Sequence, residues 1–241
     1  MYHRFPIDSA IDPAAPAAIR GEEFHHAVRV RRITVGETVE VFDPSGRSFE
    51  AVVEHLGSDE AIVRITREVP SRESPLRLTL GLALIQPDKF ELVLQKATEL
   101  GVSRIVPIIS ERTEIRLERV ERKLDRWERI IAEAVKQCGR ASVPVLASPT
   151  RFQEVVSIST PRFILDADAS RSSLERIGDE LTVLIGPEGG FSDRELDQAR
   201  EAGCLGLRIG PRRLRAETAA IAAVVLAQSR WGDMGTVNDE R

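Results

Sequence analysis

The stretch TVLIGPEGGFSDRE, residues 182–195, carries the clearest structural signal in the sequence. Its first residues, Thr182 to Ile185, are β-branched or aliphatic and indicate a buried strand. Three glycines follow within five residues and favour a turn that a ligand can approach closely. Ser192 and Glu195 have the spacing of a capping box, which predicts a helix beginning at Asp193. A strand, a glycine turn and a helix start together suit a small-molecule pocket in an α/β sheet, although a tight turn without a ligand fits the same pattern.

The composition of this turn limits the kind of ligand. Glu188 lies inside the turn and would repel a phosphate. The stretch has neither the Gly-Lys-Ser/Thr of a P-loop nor the G-x-G-x-x-G spacing of a dinucleotide fold. The sequence therefore predicts a ligand other than a polyphosphate.

A second glycine turn, IGPRRLR at residues 209–215, leads into the helix sequence AETAAIAAVVLA. Two such turns, each at the carboxyl end of a predicted strand, can lie side by side and form one crevice. The helix is apolar on every side, which predicts burial in the core or against another subunit. Arg215 and Glu217 are either solvated charges near a helix dipole or functional groups. In the functional alternative, Arg215 stabilises negative charge and Glu217 orients a group or takes a proton.

The C-terminal two-thirds of the chain alternates strand and helix patterns. We predict strands over 76–84, 104–109, 162–166, 181–185 and 205–209, and helices over 88–100, 118–137, 193–202 and 216–231. Such alternation predicts a parallel sheet with helices on both faces.

The first 70 residues predict a small β-rich domain. A helix is expected over 22–32 and strands over 38–42, 48–56 and 60–66, which together suit a small barrel or curled sheet. We predict domains over 1–70 and 76–233, a linker over 71–75 and a loose tail over 234–241. Arg29, Arg31 and Arg32 form either a solvated helix face or a patch for phosphates.

The composition is that of an ordinary globular protein, with 42% hydrophobic and 30% charged residues among 241 and a net charge of −4. Cys138 and Cys204 match no metal-ligand spacing and favour a reducing compartment. The chain begins without a signal-peptide pattern, and its longest apolar run, 219–227, is too short to span a bilayer. A cytoplasmic location without membrane attachment is expected.

Four segments together resemble one known family. They are KFELVLQKATELGVSRIVPIISERT (89–113), QCGR (137–140), LIGPEGGFS (184–192) and IGPRRLRAETAA (209–220). They resemble the ribosomal RNA small-subunit methyltransferase E family of the SPOUT superfamily, and the resemblance covers nearly the whole chain. It implies an N-terminal PUA-like β-barrel domain, a C-terminal α/β domain with a deep trefoil knot, and a homodimer. It also implies S-adenosylmethionine as methyl donor and N3 of one decoding-region uridine in small-subunit ribosomal RNA as acceptor, without a metal.

Under this resemblance, specific residues receive roles. The expected donor-binding residues are Leu165, Ile185, Gly186, Pro187, Glu188, Gly189, Gly190, Ile209, Gly210, Leu214, Thr218 and Ala219. Arg4, Arg215 and Glu217 are expected to be catalytic, and Arg4 is included because the family has a basic residue near its N-terminus. Arg29, Arg31 and Arg32 are the candidates for RNA contacts, with Arg112 and Arg116 as weaker ones. Because the target uridine must be unstacked, an assembled subunit is the expected substrate rather than free RNA.

Two alternatives stay open. Another SPOUT enzyme would methylate a different base or a ribose hydroxyl, although the ELGV and QCGR segments argue against it. A non-catalytic RNA-binding protein would use the C-terminal domain only to dimerise. A nucleotide-dependent oxidoreductase is disfavoured because the dinucleotide fingerprint is absent.

Overall fold

The computed structural model describes residues 2–70, 72–113, 120, 122–157, 162–166, 169 and 178–235. The chain divides into two compact units. The N-terminal unit consists of Met1–Glu73 and Val135–Ser142, and the C-terminal unit of Ser74–Ala134 and Val143–Arg241. The return of residues 135–142 to the N-terminal unit was not predicted from the sequence.

The N-terminal unit is built on a five-stranded sheet. Its elements are β1 (Arg4–Pro6), β2 (Ala17–Arg20), α1 (Gly21–His25), β3 (Thr38–Phe42), β4 (Ser48–Leu56) and β5 (Glu60–Val69). The strand order is β1-β3-β4-β5-β2, with β1 parallel to β3 and the other pairs antiparallel. The three predicted strands are confirmed as β3, β4 and β5. Strands β1 and β2, which are only three and four residues long, were not predicted from the sequence.

The predicted helix over 22–32 is wrong in its second half. After α1 the backbone widens into a π-helical turn, His26–Arg31. The amides of Arg32 and Ile33 both donate to the carbonyl of Ala27, which closes wider rings than an α-helix does. Arg32 then ends the turn with a φ of 55°.

The C-terminal unit alternates strands and helices. Its strands are β6 (Arg77–Ala83), β7 (Arg104–Ile109), β8 (Val145–Leu146), β9 (Thr150–Arg151), β10 (Arg162–Leu165), β11 (Glu180–Ile185) and β12 (Leu205–Leu207). Its helices are α2 (Pro87–Glu99), α3 (Leu124–Cys138, whose last turn belongs to the N-terminal unit), α4 (Phe152–Val156), α5 (Asp193–Glu201) and α6 (Ala216–Trp231). Among the described residues, the strand order is β12-β10-β11-β6-β7-β8, and β9 also pairs with β7. Every pairing in this sheet is parallel.

Helices cover both faces of this sheet. Successive strand residues point to opposite faces, so Val183 and Leu184 on β11 enter different apolar clusters. The cluster with Val183 contains buried residues of α2, α3 and α6. The cluster with Leu184 contains buried residues of α4 and α5. The predicted parallel sheet with helices on both faces is confirmed, whereas β8, β9 and α4 were not predicted.

The last helix is buried in the core on one side only, so its predicted burial on every side would require another subunit. One face of α6 is buried, including Ala220, Ala223 and Val224. Leu226 is 42% exposed, so the expectation of burial on every side does not hold within one chain. The predicted start of α3 at residue 118 lies outside the described residues, as do residues 236–241 of the predicted tail. The trefoil knot stays a prediction.

Over the part of the chain that is described, none of the helices combines the length and apolar character needed to cross a bilayer.

Candidate active site

Both glycine turns line one cavity at the carboxyl ends of β10, β11 and β12. Its volume is about 470 Å³, which lies in the range of small-molecule sites. The lining residues are Leu165, Asp166, Ile185, Gly186, Pro187, Glu188, Gly190, Leu207, Arg208, Ile209, Gly210, Pro211, Arg212, Arg213, Leu214, Ala216 and Ala219. The predicted meeting of the two turns in one crevice is confirmed.

The first turn, residues 186–191, depends on its glycines. The amide of Gly190 donates to the carbonyl of Pro187 at 2.8 Å and closes a β-turn. Gly190 has a φ of 71°, which a residue with a side chain rarely adopts. A Cβ on Gly186 would lie 3.0 Å from the amide nitrogen of Phe191. The turn can therefore fold back this tightly only because these positions lack side chains.

A buried carboxylate anchors the end of this turn. The amide of Glu195 donates to Ser192 Oγ at 3.1 Å, and the amide of Ser192 donates to Glu195 Oε2 at 2.9 Å. The predicted capping box and the helix start at Asp193 are confirmed. Glu195 is completely buried, and its Oε1 accepts a hydrogen bond from the amide of Glu111 at 2.9 Å. One carboxylate thus joins the cavity turn to the segment that follows β7.

The second turn delivers the chain directly into α6. Gly210 has a φ of 69°, and its carbonyl accepts a hydrogen bond from Arg208 Nε at 3.2 Å. Arg215 is the extended N-cap residue of α6, and its carbonyl accepts from the amide of Ala219 at 2.8 Å. The small side chains of Ala216 and Ala219 leave the cavity open where the helix begins.

The wall of the cavity carries both signs of charge. Lys89 Nζ lies 3.4 Å from Glu188 Oε1, so the carboxylate inside the turn is partly compensated. Asp166 lies 3.5 Å from Arg200 Nη2. Arg208, Arg212 and Arg213 are exposed at the cavity. Apolar side chains complete the lining, so the cavity suits a ligand with apolar and charged parts.

Sequence and structure comparisons identify the relatives of this chain. The profile described as "RNA methyltransferase domain" matches residues 72–228, and that of the "RNA methyltransferase PUA domain" matches residues 19–66. The ribosomal RNA small subunit methyltransferase E of Mycobacterium bovis is 33% identical over 94% of this chain and 92% of that protein. The protein of the same name from Bacillus subtilis is 29% identical over 89% and 90% of the two chains.

The chain belongs to the ribosomal RNA small subunit methyltransferase E family. A crystal structure of the Neisseria gonorrhoeae member bound to S-adenosyl methionine has 31% identity and a TM-score of 0.87, over 98% of this chain and all of that one. The predicted α/β fold with a PUA-like N-terminal domain is thereby confirmed.

Most of the residues expected to bind the methyl donor line the cavity of this family member. The exceptions are Gly189 and Thr218, both of which are exposed. Pro211, Arg212 and Arg213 also line the cavity and belong to the second glycine turn, which was expected to contribute to it. The lining residues Asp166, Leu207, Arg208 and Ala216 were not predicted. Their position was the available signal, since Asp166, Leu207 and Arg208 lie at or just after the carboxyl ends of β10 and β12, and Ala216 directly follows the second turn.

Two of the three expected catalytic residues flank the cavity residue Ala216. Arg215 is exposed, and Glu217 is half-buried. The Oε2 atom of Glu217 is buried without a hydrogen-bond partner among the described residues. A buried carboxylate oxygen without a donor is unfavourable, so this atom suits an interaction with a bound molecule.

Arg4, the third expected catalytic residue, lies in the N-terminal unit, where its guanidinium is fully engaged. It donates to Glu40 Oε1 at 2.7 Å, to the carbonyl of Arg140 at 3.1 Å and to Ser48 Oγ at 3.4 Å. Burial raises the pKa of Glu40, but hydrogen bonds from Arg72 and Arg4 outweigh that effect, and the pKa lies below its usual value. The contacts of Arg4 are therefore those of a structural ion pair, and its catalytic role stays a prediction.

The candidates for RNA binding occupy an exposed surface of the N-terminal unit. Arg29, Arg31 and Arg32 are all exposed on the π-helical turn or at its end. Arg31 Nε donates to His26 Nε2 at 3.2 Å. Arg112, a weaker candidate, instead donates to backbone carbonyls of the first cavity turn. Arg116 lies outside the described residues.

Among the described residues, no group of three histidine, cysteine, aspartate or glutamate side chains is arranged to hold a metal ion. Both cysteines are free thiols. Burial raises the pKa of the Cys204 thiol, although Arg162 acts in the opposite direction.

Proposed function

We propose that this protein transfers a methyl group from S-adenosylmethionine to small-subunit ribosomal RNA. The observation that carries the proposal is the single cavity formed by both glycine turns at the carboxyl ends of β10, β11 and β12. The structurally similar relative from Neisseria gonorrhoeae, which is bound to S-adenosyl methionine, supports the same donor.

The residues of the cavity fit this donor. Its volume of about 470 Å³ accommodates a molecule of that class. Leu165, Ile185 and Leu207 offer an apolar surface for an adenine ring, and the backbone of both turns offers hydrogen bonds to a ribose. The carboxylates and arginines of the wall match the opposite charges of a methionine group. When bound, the donor supplies a methyl group already activated by its sulfonium, so the protein needs no covalent nucleophile.

The protein's own residues position the acceptor and stabilise the charge that develops on it. We propose N3 of one decoding-region uridine as the acceptor, which must lose its proton during the reaction. Arg215, or Arg4, stabilises the negative charge that develops on the uracil. Glu217, with its unpartnered oxygen, orients the base or relays the proton.

A methylation assay on small ribosomal subunits from cells that lack the activity tests this proposal. Labelled S-adenosylmethionine is supplied, and the modified nucleoside is mapped by mass spectrometry. A single 3-methyluridine in the decoding region is expected. A different methylated base or a ribose methyl would identify another SPOUT specificity. Donor binding without transfer to mature subunits would direct the search to assembly intermediates.

Isothermal titration with S-adenosylmethionine separates the enzyme from a non-catalytic RNA-binding dimer. The enzyme is expected to bind the donor at one site per chain. A protein that only binds RNA and dimerises would give no heat, and that result would contradict the proposal.

The exposed arginines of the π-helical turn are proposed to contact RNA phosphates. The slope of log affinity against log salt is negative, and each lost phosphate contact is expected to reduce its magnitude by about 0.7 to 0.9. The double variant Arg31→Ala, Arg32→Ala should therefore bind subunits with a shallower salt dependence than wild type. Arg64→Ala, Arg67→Ala is the matched control, because these arginines are paired with Glu54 and Glu50. An unchanged slope in the first variant removes the turn from the interface.

The proposal extends to assembly and location. We propose a homodimer, supported by the apolar side chain of Leu226 exposed on α6, and assembled small subunits as substrate. Action on ribosomal RNA fits the expected cytoplasmic location.

A further inference from the structure

The segment that follows β7 forms a closed turn beside the cavity. The amide of Thr113 donates to the carbonyl of Ser110 at 3.1 Å, and the amide of Ser110 donates to Thr113 Oγ1 at 3.1 Å. This turn presents Arg112 to the turn at residues 186–191 and Glu111 to the start of α5. Neither residue lines the cavity itself.

Arg112 holds the cavity turn from the outside. Its Nη1 donates to the carbonyl of Gly189 at 2.7 Å and to that of Phe191 at 3.3 Å. These two carbonyls bracket Gly190, the residue with a φ of 71°. A Cβ on Gly189 would lie 3.4 Å from Arg112 Cδ, so the arginine stem also packs over the turn.

The cavity lining shows why this contact matters. Gly186, Pro187, Glu188 and Gly190 all line the cavity, whereas Gly189 does not. The carbonyl of Gly189 is instead occupied by Arg112. Glycine has the largest conformational freedom of any residue. A guanidinium bound to the carbonyls on both sides of Gly190 therefore restricts the peptide planes that shape the cavity wall.

Contacts made by Glu111 join residues 110–113 to the start of α5, directly after the cavity turn. Ser192 Oγ donates to Glu111 Oε2 at 2.6 Å, and the amide of Glu111 donates to the buried Glu195 at 2.9 Å. The backbone of residues 110–113 is thus fixed against the start of α5. The Arg112 side chain extends from a rigid support, as a positioning group requires.

We infer that Arg112 is a positioning residue that fixes the backbone of residues 186–191 for binding of the methyl donor. It acts through the carbonyls of Gly189 and Phe191 and does not touch the donor. The inference rests on the proposed function for the identity of that donor. It replaces the weaker sequence-based expectation that Arg112 binds RNA phosphate.

The test compares Arg112→Met and Arg112→Lys with wild type. Methionine keeps much of the aliphatic stem but has no N–H group to form a hydrogen bond. Lysine keeps a positive charge and an N–H group that can donate one. Titration with S-adenosylmethionine gives the dissociation constant of the donor, and steady-state assays on small subunits give KM for each substrate. We expect Arg112→Met to weaken donor binding about tenfold, the effect of losing one charge-assisted hydrogen bond. Arg112→Lys should recover part of that loss, and KM for subunits should change less than twofold.

Arg194→Met is the matched control. Arg194 lies 3.9 Å from Glu111 and is 77% exposed, so it shares the neighbourhood without contacting the turn carbonyls. The control should bind the donor as wild type does. Equal weakening in Arg194→Met would show a general charge effect and overturn the inference.

Other outcomes would contradict either the role of Arg112 or the proposed function. Unchanged donor binding in Arg112→Met, with a higher KM for subunits and a shallower salt dependence, would assign Arg112 to RNA and overturn the inference. Should Arg112→Met fail to fold, Arg112→Lys carries the test, because wild-type donor affinity in that variant beside a raised KM for subunits would again overturn it. A wild-type protein that binds no S-adenosylmethionine would instead contradict the proposed function itself, and the role of Arg112 would fall with it.

Discussion

At the scale of single residues, substitutions of Arg4 and Arg215 are expected to change different properties, the stability of the protein and the rate of methylation. Arg4→Met removes a partner of the buried Glu40, although Arg72 remains, and should lower the free energy of unfolding by about 2–3 kcal/mol. Arg215 is exposed, so Arg215→Met should change stability by less than about 0.5 kcal/mol. Because Arg215→Met can no longer stabilise the negative charge that develops on the uracil, kcat of this variant should be about 100-fold lower than that of wild type. Urea unfolding and single-turnover methylation measure the two effects.

Arg104→Met is the control for this comparison. Arg104 is exposed at the amino end of β7, whereas the cavity lies at the carboxyl ends of β10, β11 and β12. This variant should match wild type in both stability and rate. If Arg215→Met retained the wild-type rate, its proposed catalytic role would be wrong. If Arg4→Met lost rate without losing stability, Arg4 would be catalytic after all.

Asp43 makes the stability of the N-terminal unit depend on pH. Its carboxylate accepts hydrogen bonds from the amides of Ile11, Ser45 and Arg47. Burial raises the pKa of Asp43, but bonds from Ser45, Ile11 and Arg47 outweigh it and lower the pKa from 3.8 to about 2. The unfolded chain therefore binds the proton more tightly. The resulting stabilisation, about 2 kcal/mol, is complete above roughly pH 5 and is lost as pH falls toward 2.

Asp43→Asn tests this dependence. The variant should be about 2 kcal/mol less stable than wild type at pH 7, and the difference should shrink as pH approaches 2. Denaturant unfolding at a series of pH values measures it. The exposed Asp59→Asn should show no such pattern. A deficit that is the same at pH 7 and pH 2.5 would mean that packing, and not charge, makes Asp43 important.

At the scale of elements, the start of α5 depends on one buried side chain. Glu195→Ala would leave the amides of Ser192 and Glu111 without their acceptor. The expected loss of stability is about 2–3 kcal/mol, measured by urea unfolding. Glu201→Ala, at the exposed end of the same helix, should cost less than about 0.5 kcal/mol. Equal losses of stability in Glu195→Ala and Glu201→Ala would show that the capping box does not stabilise the protein.

The elements also show what a sequence pattern can and cannot reveal. The capping box of Ser192 and Glu195 was predictable because it depends only on local spacing. The π-helical turn after His25 was not, because nothing in the local polarity distinguishes it from an α-helix. The hydrogen bond from the amide of Glu111 to the carboxylate of Glu195 joins residues 84 positions apart. No local pattern encodes such a contact, and so the support of the cavity turn was missed.

At the scale of the whole molecule, the exposed side of α6 bears on assembly. Leu226→Glu places a charge on an apolar surface that we propose to be the dimer interface. The dimer dissociation constant should rise tenfold or more, as measured by sedimentation velocity. Leu205→Glu is the control, since Leu205 is 48% exposed on β12. A wild-type monomer, or equal weakening in both variants, would contradict this interface.

The sequence predicted the overall architecture more completely than it predicted the residues of the site. Alternating strands and helices predicted the parallel sheet, and the two glycine turns predicted the cavity. Arg4 shows the limit of that reasoning. A basic residue near the N-terminus was assigned to catalysis, but its contacts with Glu40 and Ser48 depend on strands that pair only in the folded protein.

The N-terminal unit is made from two separate pieces of chain, Met1–Glu73 and Val135–Ser142. Arg140, in the second piece, binds Glu73 in the first at 2.8 Å. During synthesis, the first piece is complete about 70 residues before the second is complete. At typical elongation rates of 5–20 residues per second, the nascent unit waits roughly 4–14 seconds for its last segment. The first domain of a protein that we propose to modify ribosomes thus stays incomplete for this interval while the rest of the chain is still being made.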